Sequence, residues 1–110
     1  MYTSISIEQL KCFVAVSEEL NFRKAAKNLN MSQPPVSRHI INLEYNLKAK
    51  LFERNSRSVK LTKDGMLFLT HATEIITRIE QASKVMISSK DKLTGSISLG
   101  FVPSMANDIL

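Results

Sequence analysis

A single cysteine cannot form an internal disulfide, and Cys12 stands alone in this chain. That suits a reducing compartment and a fold held by packing rather than by cross-links. Its neighbours Leu10, Phe13, Val14 and Val16 mark it as a small core hydrophobe rather than a reactive thiol. The two histidines, His39 and His71, lie far apart with no second His or Cys at ligand spacing, so no metal site is expected. Glycine is scarce, three in 110 residues, and Asp64-Gly65 falls at a helix start rather than in a glycine-rich phosphate loop. No apolar run approaches the roughly 18 residues of a membrane span. No secretory signal is visible, because the apolar stretch at Cys12–Val16 is short and Glu18-Glu19 closes it. Internal repeats and low-complexity segments are absent. Neither catalysis, nor a cofactor, nor a membrane partner is expected from such a chain.

Acidic residues are also missing, but from one stretch only. Between Asn21 and Lys63 there are ten Lys or Arg and two acids, Glu44 and Glu53, giving that segment +8. The rest of the chain carries −3, which leaves the net charge at +5. Positive charge concentrated on one compact segment favours a polyanion, and DNA before others. RNA is disfavoured, since no sheet carries aromatic stacking residues. A protein-interaction module with an incidental basic face is the competing class; a salt titration of duplex binding separates it from a DNA binder.

The apolar share of 44% is ordinary for one folded domain. Ile7, Leu10, Phe13, Val14 and Ser17 recur at helical spacing and predict a first helix from Ser6 to about Leu20. Asn21 reads as the N-cap of a short second helix, Phe22 to Leu29, whose paired Ala25 and Ala26 let another helix come close. Asn30-Met31-Ser32 makes the turn, Met31 plugging the angle. Ser32 caps a third helix with Pro34 and Pro35 in its first turn, where a missing N–H costs little. In that helix Val36, Ile40, Leu43 and Leu47 share one side, and Pro34, Ser37, Arg38, Ile41 and Tyr45 the other. Gln33 sits at its exposed start. A face of Gln, hydroxyl, guanidinium and apolar groups suits base edges in a major groove.

From Leu51 to Leu61 the period changes to strand-like alternation. Asn55-Ser56 supplies a turn flanked by Arg54 and Arg57, so a hairpin with two arginines at its tip is expected against phosphate or in a minor groove. Thr62 then caps a long helix, Lys63 to about Ser88. Phe68, Ala72, Ile75, Ile79, Ala82 and Met86 keep a 4-3-4-3-4 spacing, and Ile76 widens the stripe. That face is expected to be covered by the same helix of a second chain. Ile97, Leu99 and Phe101 alternate as a strand would, and Pro103-Ser104 opens a further helix start. Three regions follow: 1–62, 63–91, and 92–110, the last reading as a hinge and first strand of a domain mostly absent.

Taken in order, these residues resemble the DNA-binding end of a LysR-type transcriptional regulator. The features are Phe13-Val14-Ala15-Val16; Asn21-Phe22 followed by Ala25-Ala26 and Leu29; and Ser32-Gln33-Pro34-Pro35-Val36-Ser37-Arg38 with Leu43-Glu44. Leu51-Phe52-Glu53-Arg54 with Arg57, then Leu61-Thr62 with Gly65, complete the set. The resemblance implies a mainly α fold: a winged helix-turn-helix of three helices plus a β-hairpin wing, followed by a long linker dimerisation helix. It implies a cytoplasmic, nucleoid-associated regulator that binds double-stranded, inverted-repeat operator DNA as a homodimer, with a tetramer in full-length forms. Gln33, Pro34, Ser37 and Arg38 match recognition-helix contact positions, and Arg54 and Arg57 match wing positions. Phe68, Ala72, Ile75, Ile76, Ile79 and Met86 would line the dimer seam. Ser104 matches an effector position at a helix N-terminus, a setting that favours an anion. With the rest of that pocket missing, a small-molecule effector is expected only where the whole sensor domain is present, and DNA binding is otherwise expected to be constitutive. Two residues depart from the family pattern. Lys48 stands where glycine is common, at a cost on the order of 1 kcal/mol if the backbone there is left-handed. Ile41 stands where a basic residue is frequent, which exchanges a phosphate contact for an apolar one.

Overall fold

The computed structural model describes residues 4–95; the strand expected at Ile97–Phe101 and the Ser104 position lie outside them. The elements in chain order are α1 (Ile7–Glu19), α2 (Phe22–Asn28), α3 (Gln33–Leu47), β1 (Phe52–Arg54), β2 (Val59–Leu61) and α4 (Lys63–Gly95). The chain divides into two compact units, residues 1–77 and 78–110. The first holds the three short helices, the hairpin and the beginning of α4.

Each short helix has a chemical reason for its ends. The Ser6 hydroxyl accepts from the Gln9 N–H and the Gln9 side chain accepts from the Ser6 N–H, both at 3.2 Å, closing a reciprocal cap on α1. The Asn21 side chain accepts from the Lys24 N–H at 2.9 Å and starts α2. Ser32 occupies the N-cap of α3 as expected, yet its hydroxyl makes no capping bond. The reason lies in the next residues. A cap normally accepts from the second or third helical N–H, and here those positions are Pro34 and Pro35, which have none. The tight turn before α3 is closed by the Met31 N–H donating to the Ala26 carbonyl at 2.9 Å, with Asn30 left-handed at φ 56°.

The core sits where α1, α2, α3 and the hairpin meet. Phe13 is its centre, with its ring centroid 5.5 Å from those of both Phe52 and Phe68, and Phe52 is 6.1 Å from Phe22. Val16, Ala25, Val36, Ile40 and Leu43 are fully buried around them. Ala25 and Ala26 permit the close helix approach read from their size. Cys12 is buried in the same core, and burial pushes its thiol pKa up, with the Glu8 carboxylate adding to the effect. A small structural hydrophobe is the result.

Thr62 joins the hairpin to α4. Its N–H donates to the Leu51 carbonyl at 3.0 Å, and its hydroxyl accepts from the Gly65 N–H at 2.9 Å. Gly65 is required by space here, since a β-carbon on it would fall 2.2 Å from the Leu51 oxygen. Beyond the first turn, α4 runs further than expected. The helix continues to Gly95, past the boundary placed at 91, so residues 92–95 are helical rather than extended. Ser88 and Ser89 are only mildly unfavourable inside a helix, and no glycine or proline interrupts the chain between Gly65 and Gly95.

Candidate nucleic-acid interface

Helix α3 is held by one face and presents the other. Val36, Ile40 and Leu43 are fully buried; Gln33, Pro34 and Arg38 are exposed, and Ser37 is half-buried between them. Ile41 and Tyr45 extend this face, 55% and 81% exposed. The four expected recognition-helix residues therefore come together on one solvent-facing surface. Arg38 makes no ion pair with any other described residue, so its five guanidinium donors are available to a ligand.

Helix α3 ends as its sequence requires. The Lys48 N–H donates to the Glu44 and Tyr45 carbonyls, and the Ala49 N–H donates to the Glu44 carbonyl at 3.1 Å. This closure needs a left-handed residue, and Lys48 supplies it at φ 55°. The lysine thus carries the conformational cost that glycine would avoid.

The wing departs from expectation at Arg54. In the antiparallel pair, Phe52 faces Leu61, Glu53 faces Lys60 and Arg54 faces Val59. Side chains alternate along a strand, so Arg54 lies on the same side as buried Phe52. Its guanidinium sits 4.9 Å from the Phe22 ring centroid and 3.4 Å from a Glu44 carboxylate oxygen, with the side chain 29% exposed. Arg54 is therefore not at the wing tip; it closes over the core. The tip belongs to Asn55–Ser58. The Asn55 side-chain oxygen accepts from the Arg57 N–H at 2.8 Å and from the Ser58 N–H at 2.9 Å, while the Asn55 N–H donates to the Ser58 carbonyl at 3.0 Å. Arg57 is exposed on that turn and makes no ion pair with any other described residue.

Glu44 is the residue that sequence reasoning undervalued. It is buried, and one carboxylate oxygen accepts from the Leu51 N–H at 2.8 Å and the Phe52 N–H at 3.2 Å. The other oxygen faces Arg54. One carboxylate thereby fixes the entry of the hairpin to the end of α3. The available signal was the position of an acid on the buried side of α3 within a basic segment.

The long helix also needs correction. Ala72 is 0% exposed within the single chain, and Phe68 and Ile76 pack against the same core. Ala72 is wholly taken up by the chain's own winged unit, and Phe68 and Ile76 are partly so, because Phe13 and its neighbours need a cover on that side. Ile75, Ile79 and Met86 remain exposed, as do Val85 and Ile87.

Residues 7–66 match the bacterial regulatory helix-turn-helix protein, lysR family. The chain belongs to the LysR family. Among curated relatives it is similar to the probable cat1 operon transcriptional activator of Acinetobacter lwoffii, 39% identical over 106 residues, which is 96% of this chain and 35% of that one. It is likewise similar to the regulator BenM of Acinetobacter baylyi, 40% identical over 108 residues, covering 96% and 34% of the two. The chain thus spans about a third of the length of the LysR relatives it matches. A crystal structure of a CbnR DBD–DNA complex superposes with a TM-score of 0.73 at 36% identity, over 77% of this chain and 98% of that one. The family match ends one residue beyond Gly65, so it covers α1 through the first turn of α4: the LysR winged helix-turn-helix. Among the described residues no group of His, Cys, Asp or Glu is arranged to hold a metal, and no helix is long and apolar enough to cross a membrane.

Proposed function

We propose that this chain binds double-stranded DNA sequence-specifically, as the DNA-binding part of a transcriptional regulator acting in the cytoplasm at the nucleoid. The observation that carries the reading is the exposed face of α3: Gln33, Pro34, Ser37 and Arg38 gathered opposite a fully buried face. The likeness to the CbnR DBD–DNA complex supports it. In this reading α3 lies in the major groove. Arg38 offers a bidentate pair to a guanine and Gln33 to an adenine, while Arg57 steadies the wing on the backbone or in a minor groove. Two chains paired through the exposed part of α4 would place two such helices on an inverted repeat. No step of this reading needs a metal or a cofactor, and the chemistry is recognition rather than catalysis.

The test is equilibrium binding to duplexes that the protein selects from a random pool. Affinity should fall linearly with salt on logarithmic axes, with a slope near −0.9 for each phosphate neutralised. Arg38→Ala should lose about 1–3 kcal/mol and relax preference at one base pair of each half-site. Salt-independent binding, or an unchanged preference profile in the Arg38 variant, would remove α3 from the base-reading role.

A further inference from the structure

Ile41 lies one helical turn beyond Ser37 and Arg38, near the middle of the face assigned to bases. What sets it apart from other exposed apolar residues is its place: it is 55% exposed with Tyr45, 81% exposed, one turn further on, both on the face that carries Gln33, Ser37 and Arg38. The two line one side of a shallow groove of about 750 Å³, together with Asn46, Lys48 and Lys50; Glu44 also lines it, its carboxylate already taken by the Leu51 and Phe52 N–H groups and by Arg54. Apolar wall and ammonium groups in one groove match the composition of a nucleic-acid strand seen from the major groove. There the apolar feature is the thymine 5-methyl group and the charged feature is phosphate.

We infer that Ile41 is a specificity-determining residue that reads the 5-methyl group of a thymine in each half-site. The inference rests on the reading of α3 as the base-contacting helix and adds the chemistry of one position. Tyr45 stands one turn further and shields that contact from water, while Lys48 and Lys50 face the phosphates of the strand that runs through the groove. Cytosine at that step lacks the methyl group, so Ile41 would gain no apolar contact there.

The experiment replaces thymine by deoxyuridine, one position at a time, in a duplex the wild-type chain selects. This exchange removes the methyl group and leaves base pairing and every donor and acceptor in place. The wild-type chain should lose about fourfold in affinity at one position of a half-site, the equivalent of one buried methyl or methylene group. Ile41→Ala should bind the thymine duplex more weakly and show no further loss with deoxyuridine at that position. Its melting temperature should match wild type, because the side chain is exposed. If no deoxyuridine position costs affinity, or if the loss is the same in both proteins, Ile41 does not read a methyl group. A chain with no preference among duplexes would instead overturn the base-reading role of α3 itself, a result the two proteins would show alike.

Discussion

Glu44 shows how much one side chain can decide. Its carboxylate takes two backbone N–H groups from Leu51 and Phe52 and faces the Arg54 guanidinium, so α3 and the hairpin beside it are fixed to each other. Removing it would strand two buried donors and leave Arg54 without its acceptor. Breaking a buried, hydrogen-bonded charge typically costs about 3–5 kcal/mol. Glu44→Ala is therefore expected to lower stability by about 3 kcal/mol or more. Arg57→Ala, at the exposed turn, should leave stability unchanged and weaken binding to all duplexes alike, reducing the salt slope by about one unit. Denaturant unfolding alongside duplex titration separates the two; an Arg57 variant with lowered stability, or a stable Glu44→Ala, would contradict the assignment. The exposed face of α3 was easy to read from the sequence, because Gln33, Ser37 and Arg38 are polar on the side opposite Val36, Ile40 and Leu43. It concealed Glu44 and Arg54, because their roles depend on a meeting of α3 with β1 that no local periodicity records. Strand alternation did hold part of the answer: Arg54 is two residues from Phe52 and must share its face.

Among the elements, helix ends were legible where a side chain does the capping and less so where backbone conformation does it. Asn21 and Thr62 announced α2 and α4 by type and position, whereas the Ser6 cap of α1 was not read from the sequence. The far end of α4 was misjudged because serines look like a stop until the first true breaker, Gly95, is reached. The end of α3 is the instructive case. Its closing bonds, from the Lys48 and Ala49 N–H groups to carbonyls of the last turn, demand a left-handed residue, and lysine pays for a β-carbon there. Glycine occupies this conformation without that steric cost, although it gives the unfolded chain more freedom. The steric relief is the larger effect, on the order of 1 kcal/mol net. Lys48→Gly is therefore expected to raise the thermal midpoint by about 4–8 °C, the shift that 1 kcal/mol produces in a domain of this size. Because Lys48 also faces the proposed DNA groove, the same variant should bind duplexes slightly more weakly. Calorimetry of the free protein checks the first effect. A lowered midpoint would show that the lysine makes a favourable interaction outweighing its backbone cost.

At the scale of the molecule, the question is what covers the outward side of α4. The spacing of Phe68, Ala72, Ile75, Ile79 and Met86 could be read from the sequence, but its division between two uses could not. Phe68, Ala72 and Ile76 close the core around Phe13, whereas Ile75, Ile79 and Met86 stay exposed. Exposed Ile79, with Val85, Met86 and Ile87 further along, is an apolar surface that water solvates poorly, and a second copy of the helix is the cover we propose. Burying an isoleucine there would contribute roughly 1.5–3 kcal/mol. An aspartate at Ile76 would be a poor probe, since it would put charge against the chain's own core and so mix loss of stability with loss of pairing. Ile79→Asp is the cleaner choice: Ile79 lies outside the core cluster and is already 46% exposed in the single chain. An unpaired carboxylate buried between two chains is strongly unfavourable, so the seam should open. Sedimentation at micromolar concentration should show the wild-type chain as a dimer and Ile79→Asp as a monomer with an unchanged fold by circular dichroism. On a duplex carrying two half-sites the variant should lose about a hundredfold or more in affinity, because linked binding of two readers becomes two independent events. On a single half-site it should bind as wild type does. A variant that remains dimeric would place the partner surface away from Ile79. A monomeric wild type that still binds the double site tightly would show that pairing through this helix is not what brings two recognition helices to one operator.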